Sequence, residues 1–117
     1  MSTGLRIERR ECNSAVVLDL SGRLTAGAGA GRLRETVREL ADSGRTRVLL
    51  NLREVSFMDS TGLGALVISS ELLNARGGRL CILNALGPVR HVLHITRLDR
   101  VFPDFSDEQS ALESLAS

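Results

Sequence analysis

Asp59-Ser60-Thr61-Gly62 sets a carboxylate and two hydroxyls on consecutive residues, just ahead of Leu63–Arg76, a segment that reads as a helix. A hydroxyl at a helix start faces backbone N–H groups without intrahelical acceptors, and the positive end of the helix dipole. Such a hydroxyl has two uses. It caps the helix, or it carries an added phosphate that the same N–H groups help to accommodate. Asp59 has a parallel pair of readings, as a cap or as a group that meets a partner or influences phosphoryl transfer. Gly62 and Gly64 permit close backbone approach, either to a sheet or to a docked partner.

Other chemistry finds little support in the residues. Ser60 is not on the G-x-S-x-G elbow of a Ser-His-Asp hydrolase. Every basic residue apart from His91 and His94 is arginine, so a Walker-type phosphate loop and a Schiff-base lysine are both excluded. His91 and His94 are spaced to share a helix face, but no carboxylate or cysteine is placed with them as a metal ligand. Gly27, Gly29 and Gly31 resemble a dinucleotide-binding loop only superficially: the spacing is G-x-G-x-G, several residues after the strand, without the acidic residue expected about 20 positions later. The run reads instead as a small-residue entry to a helix. No catalytic residue, metal or cofactor is assigned.

These groups must be held by an α/β framework. Leu5 to Glu11 alternates apolar and charged residues as a half-exposed strand does, and Asn13-Ser14 turns it into a second strand, Ala15 to Leu20. Leu33, Val37, Leu40 and Ala41 mark the apolar face of a helix from Gly31 to Ser43, stopped at Gly44. Arg47 to Leu52 reads as an interior strand, with Arg79 to Leu83 as the next. Gly87-Pro88 opens a short helix with Pro at its first position and Val89, Val92, Leu93 and Ile95 on its apolar side. Val101-Phe102 is expected to be the last strand, stopped by Pro103. Ser106 and Gln109 suggest a capping box for a final helix with a stripe of Ala111, Leu112 and Leu115. The order β-β-α-β-α-β-α-β-α predicts one domain over residues 1–117, with a mostly parallel sheet of four to five strands, an antiparallel edge strand and about four helices.

The helix after Ser60 has apolar residues on two sides: Leu63, Leu66, Val67 and Leu73 on one, Ile68 and Leu72 on the other beside Gly64 and Ala65. The sequence leaves open which side meets the sheet, and whether the other is a binding patch or is used in self-association as a homodimer.

At 117 residues with a net charge of +1, the chain carries no basic field for nucleic acid, and with three Phe and neither Tyr nor Trp it has few stacking platforms. It has no apolar signal region or membrane-spanning run, so a soluble cytoplasmic protein is expected. Cys12 and Cys81 form no ligand motif, and Cys81 reads as a small buried hydrophobe.

From Asn51-Leu52 through Val55, Phe57-Met58-Asp59-Ser60-Thr61-Gly62-Leu63-Gly64, the chain resembles the STAS family, specifically the bacterial anti-sigma factor antagonists. The resemblance extends over nearly the whole chain, including Gly22 after the second strand and Gly77-Gly78 before a later one. It implies that Ser60 is phosphorylated by a cognate anti-sigma factor, itself an ATP-using serine kinase. It further implies that the unphosphorylated antagonist binds that factor and frees a sigma factor, and that a serine phosphatase restores it. Thr61 is a second candidate phosphoacceptor. Asp59, Ser60, Thr61, Gly62, Gly64, Arg23, Thr25, Ile68 and Leu72 are the expected partner-binding residues. One departure concerns the loop after the second strand: it reads Gly22-Arg23-Leu24-Thr25, where family antagonists carry acidic residues in a G-E-L-D-like pattern. The alternative is a constitutive STAS interaction module of a signalling complex or transporter, in which Ser60 is not phosphorylated.

Overall fold

In the computed structural model, which describes residues 4–116, five strands alternate with four helices. The order is β1 (Leu5–Cys12), β2 (Ala15–Leu24), α1 (Ala30–Asp42), β3 (Arg47–Met58), α2 (Ser60–Ala75), β4 (Arg79–Leu83), α3 (Gly87–Ile95), β5 (Asp104–Phe105) and α4 (Glu108–Ala116). The strands lie side by side in chain order; β1 is antiparallel to β2 and every other pairing is parallel. The β1–β2 hairpin turns through Asn13-Ser14, and Asn13 takes the positive φ of 56° that Asn tolerates better than most residues. This is the mixed sheet with an antiparallel edge that the element order predicts.

Alternation along the strands divides the core between two faces of the sheet. Val16, Leu18 and Leu20 of β2, Val48, Leu50 and Leu52 of β3, and Leu80 and Ile82 of β4 pack with α1, α2 and α3. The residues between them, Val17, Leu49, Cys81 and Leu83, pack with Ala111 and Leu115 of α4. Where α4 reaches the edge of the sheet, Arg10 of β1 bonds both Asp19 of β2 and Glu108 of α4, through Nε and Nη2 to Asp19 at 2.6 and 3.0 Å and through Nη1 and Nη2 to Glu108 at 3.1 and 2.6 Å. Asn51 adds a bond to Asp19 at 2.9 Å.

Several sequence-based boundaries move. β3 does not stop at Leu52 but runs on to Met58, and β2 does not stop at Leu20 but continues through Ser21-Gly22-Arg23 to Leu24. The β2–β3 register shifts between Asp19 and Ser21 and again between Gly22 and Arg23. Beyond Leu52 the buried residues of β3 are therefore Val55 and Met58, every third position, and the two-residue alternation expected of a strand disappears. α2 begins at Ser60 rather than Leu63, so Asp59 rather than Ser60 is its cap. Pro88 is the second residue of α3, after Gly87. Ile95 is 61% exposed and leaves the apolar side of that helix to Val89 and Leu93. The last strand lies after Pro103, not before it: Phe102 is fully buried as a core anchor, while the Pro103 carbonyl accepts a bond from Ile82 N at 3.1 Å. Asp107 caps α4 in place of the Ser106–Gln109 box, accepting from the backbone N–H and the hydroxyl of Ser110.

Candidate functional site

Two strand ends and one helix start meet at Asp59. Its Oδ1 accepts from Gly62 N at 2.8 Å, which caps α2, and its Oδ2 accepts from Ala26 N at 3.1 Å, which ties the helix start to the loop after β2. The Asp59 backbone N–H donates to Leu24 O at 3.3 Å. These N–H donors, Gly62 first and Ala26 second, hold the carboxyl below its ordinary value of 3.8, and it stays an anion. Asp59 thus takes the capping role that either it or Ser60 could have had.

Gly62 is buried, and the Cβ it lacks would stand 2.0 Å from Leu24 O. The first turn of α2 can rest on the end of β2 only because no side chain intervenes. Gly64 differs: a Cβ there would meet nothing within 4 Å, so this glycine leaves open space on the outside of the helix. Of the two readings of these glycines, close approach within the fold belongs to Gly62 alone.

Ser60 is the first residue of α2 and is exposed; its hydroxyl has no hydrogen-bond partner among the described residues. Thr61 is exposed beside it. Ser60, Gly64, Ile68 and Leu72 succeed one another at intervals of four, which places them on one ridge of α2. Leu66 and Leu73 are fully buried with Ala65 toward the core, while Ile68 is 48% exposed and Leu72 partly buried. This resolves the orientation that the two-sided helix left open: the ridge that starts at Ser60 faces outward.

Thr25 exchanges backbone bonds with Ala28, at 2.8 and 3.1 Å, and closes the loop whose Ala26 N reaches Asp59. Gly29 precedes α1 with φ 95°, so the small-residue run is a tight helix entry. Arg23 pairs across the β2–β3 ladder with Phe57, and its guanidinium carbon lies 5.0 Å from the centre of that ring. Phe57 is 41% exposed, two residues before Asp59, and belongs to the same surface. It was not among the residues singled out from the sequence. The sequence held no clear signal for it, because the register shifts remove the alternation that would have told Phe57 from Met58.

His94 Nδ1 lies 3.1 Å from Asp99, in the turn after α3, and no set of three or more His, Cys, Asp or Glu is assembled as a metal site among the described residues. No described helix is long and apolar enough to cross a membrane.

Fold and site together define an α/β domain that presents a hydroxyl on the open first turn of a helix, with the neighbouring carboxylate committed to holding that turn in place. The chain belongs to the STAS domain family, whose model matches residues 6–111. It is similar to an anti-sigma F factor antagonist of Paenibacillus polymyxa, 28% identical over 116 residues and 95% of each chain. Among solved structures, an anti-sigma factor antagonist from Mycobacterium paratuberculosis matches with a TM-score of 0.86 and 20% identity over 100% of both chains, a likeness of fold alone. The Bacillus cell fate determinant SpoIIAA, solved in its phosphorylated form, matches with a TM-score of 0.72 and 26% identity over 93% of this chain and 98% of its own.

Proposed function

We propose that this chain is an anti-sigma factor antagonist governed by phosphorylation of Ser60. Unphosphorylated, it binds an anti-sigma factor that is an ATP-using serine kinase, and a sigma factor is freed. Phosphorylation by that kinase ends the complex, and a serine phosphatase restores the active form. The exchange takes place in the cytoplasm and involves neither a membrane nor direct contact with nucleic acid. The chain itself is acted upon and performs no catalysis.

One observation carries this reading. Ser60 is exposed at the first position of α2, and the cap is already supplied by Asp59. The fold therefore does not depend on the Ser60 hydroxyl, which is free for a kinase. A phosphate there adds roughly −1.5 to −2 charges beside the anionic Asp59. The helix N-terminus tolerates it within the domain. A partner surface built around a neutral hydroxyl does not, and loss of such a contact costs about 2–5 kcal/mol, on the order of 30-fold to 1000-fold or more in affinity. Similarity to named antagonists supports the same role.

The second reading, a constitutive interaction module, draws on Arg23. The cation stacked on Phe57 stands at the end of β2, where the family pattern has acidic residues, so the docking surface differs in charge. Incubation with the host's serine-kinase anti-sigma factors and ATP, followed by mass spectrometry, separates the two. Phosphate on Ser60 is the expected result. An unmodified Ser60 and Thr61 with every such kinase would leave the constitutive module standing.

A further inference from the structure

We propose that the groove between α1 and α2 docks an acidic, amphipathic segment of the kinase that acts on Ser60. The partner would then hold this chain at two places, only one of which is modified. This rests on the reading of Ser60 given above and adds a second contact to it.

The groove measures about 440 Å³. Arg34, Glu35 and Arg38 form its α1 wall, and Ile68, Ser69 and Leu72 its α2 wall. Arg34 and Arg38 are one helical turn apart, exposed, and without a carboxylate partner among the described residues. Arg6, Arg9, Arg45 and Arg76, by contrast, each reach an Asp or Glu. Across from the two cations, Ile68 keeps nearly half its surface in water. The Ser69 hydroxyl is buried and has no hydrogen-bond partner among the described residues, where buried polar groups are nearly always paired.

The occupant follows from these groups together. Arg34 and Arg38 call for carboxylates, and Ile68 with Leu72 calls for an apolar side chain beside them. Glu35 between the two cations repels a uniform polyanion such as nucleic acid. A segment of mixed acidic and apolar character, laid in the groove as a helix or an extended strand, satisfies all of them. The site also continues the modified surface. Ile68 lies two turns along the Ser60–Gly64–Ile68–Leu72 ridge, about 12 Å from Ser60 at the helical rise, within the footprint of one partner.

Steady-state phosphorylation of Ser60 by the kinase that modifies the wild-type chain tests this. In the double variant R34E/R38E, KM for this chain is expected to rise about tenfold or more with kcat unchanged, because contact remote from the hydroxyl binds ground state and transition state alike. The difference should shrink as salt is added. Ile68→Ala should raise KM in the same way, without the salt dependence. The thermal midpoint of each variant shows that the fold is kept, and R34Q/R38Q serves if charge reversal disturbs it. A KM within about twofold of wild type in the folded double variant overturns the second contact while leaving the Ser60 reading intact. A wild-type chain that no host serine kinase modifies overturns both. Inorganic phosphate that shifts the Arg34 and Arg38 side-chain resonances, with KM unaffected by the variants, would assign the groove to a small anion and overturn the docking role.

Discussion

Gly62 rests directly on Leu24, with 2.0 Å between the position of its missing Cβ and the Leu24 carbonyl oxygen. The site is thus assembled by contact between residues far apart in the chain, and the two glycines of α2 should respond oppositely to the same change. Gly62→Ala places a methyl group against backbone, and the resulting shift costs about 1–3 kcal/mol. That outweighs the gain of about 1 kcal/mol that Ala has over Gly inside a helix. Gly64→Ala meets nothing and should raise stability by up to about 1 kcal/mol. Urea denaturation of both variants checks the sign of each.

If the outward ridge of α2 is where the partner sits, Ser60→Ala should bind it constitutively and Ser60→Asp should bind it poorly. Gly64→Ala should also bind less well despite its greater stability. Equal affinity of the Ala and Asp variants at Ser60, measured by calorimetry, would exclude a charge switch.

Asp59 ties the cap to acid stability. Its carboxyl is held below 3.8 by Gly62 N and Ala26 N in the folded chain. A group with a depressed folded pKa stabilises the fold above its unfolded value, and that contribution is lost as pH falls through the folded value. Asp59→Asn keeps a cap acceptor for α2 but removes the titration. The variant should be less stable than wild type near neutral pH, with the gap closing below pH 3.8. Thermal midpoints across an acid series measure this.

Arg10 holds α4 to the sheet. Its guanidinium draws both Asp19 and Glu108 below their ordinary values of 3.8 and 4.5, so this contribution too is present above those values and fades in acid. Because the Arg10 side chain is 41% exposed, water and salt screen the cluster, and Arg10→Met should cost about 1 kcal/mol. The loss should be local. Amide exchange in α4 should accelerate well before that in α2.

Cys81 offers a probe of the same face. It is fully buried under α4, and burial pushes its thiol pKa up, so the thiolate is scarce. A thiol reagent should modify Cys12 readily in the native state and Cys81 only as fast as α4 lifts or the domain unfolds. In Arg10→Met the Cys81 rate should rise by a larger factor than that of Cys12, which is only half-buried against the same cluster.

Much of this architecture was legible in the residues. The elements that bury a regular stripe, such as Leu33–Val37–Leu40 in α1 and Val48–Leu50–Leu52 in β3, announce themselves because their periodicity matches their geometry. The outer half of β3 does not. Its register shifts against β2 convert alternation into a three-residue rhythm at Leu52, Val55 and Met58, which no strand template matches. Phe102 misled for another reason: an isolated aromatic before a proline looks like a strand end, yet here it plugs the core from an irregular turn. At the site, the position of Ser60 at a helix start could be read from the chain alone. The hydrogen bond from Ala26 to Asp59 could not, because it joins residues 33 apart through a loop whose shape only the fold defines.

The strands stand in the sheet in the order in which they occur in the chain. Each new strand can therefore add to an edge that is already present, without waiting for later sequence. A ribosome releasing the chain from its N-terminus would deliver β1, β2, α1 and β3 before α2, and the seat for Asp59 and Gly62 at Leu24 and Ala26 would already exist when Ser60 emerges. A short peptide copied from around Ser60 would lack that seat. If Ser60 is the phosphoacceptor, the chain becomes a substrate only once the nascent sheet closes on β3, and its recognition then reports on completed folding of that half.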